Sequence, residues 1–155
     1  MTSDIDVELA YLKWYFGLLF PESVPEFAIA ALEAGYDGRQ LRWIAGLTRP
    51  TRADLEAIMN DMFHELGQSP ITDTRKAGTR LAAKFCQQIV AGEIEPYDGA
   101  RRIWKSIYYA LGCPKELVPF VALASEWEDV PESRRKYDKE ILAAAREFLQ
   151  GPRIS

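Results

Sequence analysis

Histidine is nearly absent from this chain: His64 stands alone among 155 residues, and cysteine occurs only at Cys86 and Cys113. One imidazole and two thiols outside any C-x-x-C pair give neither a zinc spacing nor a disulfide framework, so reduced, packed thiols and a cytoplasmic setting are expected. Long apolar runs are missing as well. Residues 9–20 form the longest, twelve residues interrupted by Lys13, well short of the ~20 needed to span a bilayer, so no membrane segment is expected. Residues 1–6 lack the basic n-region of a signal peptide. There is no G-x-G-x-x-G, no G-x-x-x-x-G-K-[ST], no H-E-x-x-H and no G-x-S-x-G. Asp4, Asp6 and Glu8 alternate like a calcium loop, but the glycine and closing glutamate of such a loop are missing. They read instead as first-turn acids favoured by the helix dipole. No metal and no cofactor are expected.

What is present is material for a core. With 48% hydrophobic, 27% charged and 12% aromatic residues, the chain has the composition of one globular domain over residues 1–155, and at this length a fold hides roughly 70% of its unfolded surface without staples. Nineteen basic residues face 23 acids, net −4, so there is no overall basic field to hold nucleic acid.

Cap residues and glycines divide the chain into segments of helical length. Ser3 with Asp6 opens a helix expected to reach Phe20. Ser23, Pro25 and Glu26 open the next, closed by Gly35. Asp37 and Gln40 open a short third helix closed by Gly46, and Thr51 with Asp54 a fourth closed by Gly67. Thr72 or Asp73 opens a fifth closed by Gly92, and Pro96 a sixth closed by Gly112. Val118, preceding Pro119, should leave the helical region, so a seventh helix begins at Pro119. Pro131 opens the eighth, which Gly151 and Pro152 end. Tyr137, Ile141, Ala144, Ala145 and Phe148 repeat at i, i+4, i+7 and i+8, and no stretch alternates with period two. The expected fold is all-α, a single irregular bundle of about seven to eight helices with more than ~60% of residues helical, against 30 to 35% for an average domain. Trp14, Leu18, Leu81, Phe85, Ile107 and Phe148 are assigned to the core, and Trp14, Trp43, Trp104 and Trp127 are expected to meet inside it.

Three groups of residues invite a functional reading. The segment Pro96-Tyr-Asp-Gly-Ala-Arg-Arg-Ile-Trp104 sets Gly99, Arg101 and Arg102 near a helix start, where free N–H groups hold anions; the alternative is that Gly99 permits close helix packing while the arginines pair with acids. Residues 1–35 carry six acids against Lys13 alone, so Asp4, Asp6, Glu8, Glu22, Glu26 and Glu33, joined by Glu126, Glu128 and Asp129, form a candidate partner surface. Lys76, Arg80, Lys84 and Gln87 line one face of the fifth helix and read as a solvated face or one turned to the protein's own acids. A Cys86–His64 nucleophile pair is conceivable, but Cys86 lies among Leu81, Ala82, Phe85 and Ile89 and reads as a packed thiol.

At Pro96-Tyr-Asp-Gly-Ala-Arg-Arg-Ile-Trp104, at Leu117-Val-Pro-Phe-Val-Ala-Leu-Ala-Ser-Glu-Trp-Glu-Asp129, and more weakly over residues 36–47, the chain resembles a family of small, uncharacterised all-helical bacterial proteins. The resemblance implies a bacterial source and transfers no activity. The residues themselves favour a non-catalytic interaction protein, of the kind exemplified by an immunity or antitoxin-like inhibitor that covers a basic toxin with acidic surface. The alternative is a helical protein or enzyme binding a small anion through Arg101 and Arg102. A protein partner is expected, nucleic acid and membrane are not, and a homodimer is compatible with the aromatic first helix.

Overall fold

The computed structural model describes residues 5–151 and Ile154. The fold is all-α: 73% of the chain is helical, and no strand occurs among the described residues. The chain divides into two compact units, residues 1–72 and 73–155.

The first unit holds α1 (Val7–Tyr15), α2 (Val24–Glu33), α3 (Arg39–Ala45) and α4 (Arg52–Glu65). Helix α1 begins one turn later than expected, because Asp6 is itself the cap and accepts the Leu9 N–H at 2.9 Å; Ser3 lies outside the described residues. The helix also ends early, at Tyr15 instead of Phe20. Gly17 takes φ +76°, a left-handed conformation that costs glycine little, and the Leu18 N–H reaches back to the Lys13 carbonyl at 2.7 Å. Apolar residues continue past this glycine to Phe20, which is why the spacing carries the expected helix beyond its actual end. Beyond the turn Leu18 is only half-buried and Phe20 is 60% exposed. Gly35 and Gly67 close α2 and α4 by the same bond pattern. Helix α4 opens with the expected capping box, the Thr51 hydroxyl and the Asp54 carboxylate each accepting the other's backbone N–H.

Phe63 of α4 is fully buried, stacked on Tyr11 of α1 at 4.6 Å between ring centroids and 6.0 Å from Phe27 of α2. Val24, Ala28, Leu41, Ile44, Leu55, Met59 and Met62 are also part of the core. The Tyr11 hydroxyl accepts the Ile71 N–H at 3.3 Å, tying down the segment after α4.

The second unit holds α5 (Thr74–Val90), α6 (Pro96–Arg102), α7 (Val118–Asp129) and α8 (Arg134–Gln150). Asp73 caps α5 through the Lys76 N–H. After α6 the chain continues as a π-helical stretch, Ile103–Tyr108, before Gly112 turns it at φ +76°. Helix α8 packs on α5 and α7, and α6 packs on α7. Leu81, Phe85, Ile103, Ile107, Leu117, Phe120 and Ile141 are buried, and Phe120 meets Phe148 edge to face at 6.0 Å. A Cβ on Gly78 would stand 2.6 Å from Leu111 Cδ1, so this glycine is a point of close approach.

Val118 does not leave the helical region as its place before Pro119 suggested; it is the first residue of α7, with φ −55° and ψ −41°. A 3-10 turn, Lys115–Leu117, feeds the chain into the helix, and the Val118 N–H bonds to Lys115 O. That bond secures the start, and Pro119 falls in the first turn, where its missing N–H is no loss. Pro21–Ser23 leads into α2 and Pro131–Ser133 into α8 by the same device.

The tryptophans do not share an interior. Trp14 is buried beneath the Arg52 guanidinium, 4.3 Å from its ring centroid. Trp43 is 55% exposed, and Trp104 and Trp127 are half-buried. Among the described residues no polar or charged residue is buried.

Candidate interaction surface

Helix α2 turns Val24, Ala28 and Ala31 inward, which leaves the opposite side to solvent. Glu26, Ile29 and Glu33 follow one another on α2 at intervals of three and four residues, the spacing of a single helical stripe, and Glu22, in the 3-10 turn that leads into the helix, stands four residues before them. All four are exposed, Ile29 by 44%, and Phe20 stands just before them. None of the three carboxylates carries an ion pair or hydrogen bond among the described residues. The remaining acids of the first 35 residues differ. Asp6 caps α1, Glu8 is half-buried, and Asp4 lies outside the described residues.

Two of the three acids of α7 are engaged within their own unit. The Tyr97 hydroxyl donates to Glu128 at 2.8 Å and that of Tyr137 to Glu126 at 3.3 Å. Tyr97 stacks on Trp127 with ring centroids 3.9 Å apart, and the Arg134 guanidinium also lies 3.9 Å from the Trp127 ring. Arg134 Nε donates to the Trp127 carbonyl, and Trp127 Nε1 donates to Asp138, each at 3.0 Å. Desolvation, and then the Glu128 carboxylate, push the Tyr97 phenol above its usual range. These side chains clamp α6, α7 and α8 together. Asp129 is exposed.

Beside α2, the start of α3 is held by a residue that its own sequence does not supply. Asp37 was expected as the cap, but its carboxylate pairs with Arg42, whose hydrogen bond holds the carboxyl below the usual range. The free N–H groups of Gln40 and Leu41 are taken by the two oxygens of Glu65, at 2.9 and 3.0 Å, reaching over from the end of α4. Gly38 makes this possible: a Cβ there would stand 2.6 Å from Glu65 Cδ and 2.9 Å from its Cβ.

With Leu41 and Ile44 inward, α3 turns Arg39, Arg42 and Trp43 outward. These three, with Gln40 and Ile58 of α4, line an open groove of about 530 Å³. Segment charge counts hid it, because the four arginines between Asp37 and Asp54, with no acid among them, fall between the acidic start and the basic fifth helix. Exposure of Trp43 had no signal in the pattern.

Gly99 belongs to helix packing. Its N–H donates within the helix to Glu95 O, and a Cβ would meet Ile89 Cγ1 at 2.6 Å and Ile94 Cδ1 at 2.9 Å. Its backbone is therefore turned to apolar neighbours and has no donor left for an anion. Arg101 is exposed, and Arg102 is half-buried with its guanidinium 5.9 Å from the Phe85 ring.

His64 is exposed on the last turn of α4, and no group of three or more metal-binding side chains occurs among the described residues. Lys76, Arg80 and Gln87 are exposed and Lys84 is half-buried. Burial pushes the Cys86 thiol up to about 12, so it is protonated and inert at neutral pH, which removes the nucleophile from the Cys86–His64 pairing. Cys113 is exposed. Titration with 5,5′-dithiobis(2-nitrobenzoate) at mildly alkaline pH should therefore count one thiol in the native protein, lost in Cys113→Ser, and a second only after unfolding in guanidinium. Rapid native labelling of both would contradict the burial.

No helix among the described residues is long and apolar enough to cross a membrane. Compared with protein-family models, with curated proteins and with solved structures, the chain matches none.

Proposed function

We propose that this chain is a non-catalytic interaction protein whose α2 face docks a basic protein, in the manner of an immunity or antitoxin-like inhibitor in the bacterial cytoplasm. The observation that carries the reading is the stripe of Glu22, Glu26 and Glu33, unpaired and exposed, with Ile29 set among them. Carboxylates that stabilise the fold find caps or cations, as Asp6, Asp37 and Glu65 do; Glu22, Glu26 and Glu33 make no such bond among the described residues and stand together on one face. A field of this kind raises the association rate with a cationic surface, and the exposed isoleucine supplies an apolar contact that carboxylates alone lack. Two free cysteines suit a reducing compartment.

The test is capture of the native partner by crosslinking and mass spectrometry, followed by association kinetics. Glu22→Lys, Glu26→Lys and Glu33→Lys combined should slow association by at least tenfold at low salt and flatten its salt dependence, while dissociation changes less. Ile29→Ala should act mainly on dissociation. A captured partner that is acidic, or an on-rate indifferent to both salt and the reversals, would count against the proposal.

A further inference from the structure

We infer that the groove between α3 and α4 is a second docking site, one that takes an acidic peptide segment carrying an apolar side chain. The surface is opposite in charge to the α2 stripe, so the inference does not depend on the basic partner proposed above.

Three observations converge on the occupant. The first is charge: Arg39 has no ion-pair partner among the described residues, and Arg42 is reached by Asp37 alone. A guanidinium is weakly hydrated and forks onto carboxylates in bidentate geometry, so a free Arg39 beside Arg42 selects for acids. The second is the apolar wall. Trp43 is 55% exposed, and with the partly buried Ile58 it offers a place for an aliphatic or aromatic side chain. Tryptophan and arginine are the residues in which binding energy concentrates at interfaces, and here they stand within five positions. The third is shape. The groove of about 530 Å³ is open and lined by five residues, whereas small-molecule sites enclose most of their ligand; an extended segment can lie along it.

The rigidity of the site comes from Glu65. By holding the Gln40 and Leu41 N–H groups, it fixes the first turn of a seven-residue helix that carries every charged lining residue. A single-stranded nucleic acid, which also stacks on aromatics, needs a longer cationic track than two arginines, one of them paired.

The experiment selects a random peptide display library on the full chain and measures the enriched peptides by fluorescence anisotropy. Enriched sequences should place two or more Asp or Glu around a Leu, Ile, Phe or Trp. Arg39→Glu and Trp43→Ala should each weaken binding at least tenfold with circular dichroism unchanged, whereas Arg135→Glu on α8 should leave it intact. Arg39 and Trp43 are exposed, so both variants keep the folded core; should Trp43→Ala fail to fold, Arg39→Glu and Trp43→Gln decide. Failure to enrich any peptide, enrichment of basic or neutral ones, or acidic peptides that bind the variants as tightly as the parent would overturn the inference. So would a labelled oligothymidine that binds in a Trp43-dependent way while no acidic peptide does.

Discussion

Phe63→Ala should cost the first unit about 3 to 5 kcal/mol, the range for deleting a large aromatic ring from a closed core. The ring has no solvent exposure, is stacked on Tyr11 of α1 and approaches Phe27 of α2, so its loss removes contacts to two other helices at once. Little in the neighbourhood can collapse into the space, because Met59, Met62, Leu55 and Leu41 are already fully buried in packed positions. Against the ~5 to 15 kcal/mol that separates a folded domain from its unfolded state, this is a large share. Urea unfolding followed by near-ultraviolet circular dichroism should show a lower midpoint with the slope kept. A change below about 1 kcal/mol would mean that the helices do not meet at this ring.

The second large effect belongs to Glu65. Its carboxylate accepts two backbone N–H groups across 24 and 25 residues of sequence in a partly buried setting. Hydrogen bonds to charged groups contribute about 1.5 to 3 kcal/mol each, and water can recover part of that here, so Glu65→Ala should cost about 2 to 3 kcal/mol. Gly38→Ala should act through the same contact, since the new methyl group must evict the carboxylate. The two losses should therefore fall short of adding in the double variant, by about 1 kcal/mol or more, because the second change removes a bond already broken. Full additivity in a denaturation cycle would show that the glycine and the carboxylate act separately.

These two residues mark the limit of what local sequence conveys. Thr51 with Asp54, and Asp73, are caps that act on N–H groups three residues away, and they do in the structure what their spacing announced. Gly35, Gly67, Gly92 and Gly112 close helices where polarity and punctuation agree. Gly17 was misplaced because apolar residues continue past it, and periodicity registers burial on both sides of a turn without registering the turn. Asp37 has the composition of a cap and faces an arginine five residues on, while the residue that caps α3 lies on another helix. The acid count of the opening segment takes Asp4, Asp6 and Glu8 together with Glu22, Glu26 and Glu33, and the separation of the last three from Asp6 needed the cap geometry. The α3 groove depends on which face of a short helix meets α4, and no repeat within seven residues fixes that.

Among the described residues the buried set contains no polar or charged member, and Gln88 Oε1 is the lone buried side-chain oxygen without a hydrogen-bond partner. The aliphatic part of such an interior has little to say about which helix belongs beside which, because side chains of similar volume substitute for one another at small cost. The instructions for assembly are then written at the helix ends, in Asp6, Asp73, the Thr51 and Asp54 pair, and the Gly38 and Glu65 contact. A lineage carrying this fold is free to exchange leucine, isoleucine and methionine through its centre over generations. It is held to its terminal glycines, hydroxyls and carboxylates, so descent would leave its trace in the punctuation and erase it from the core.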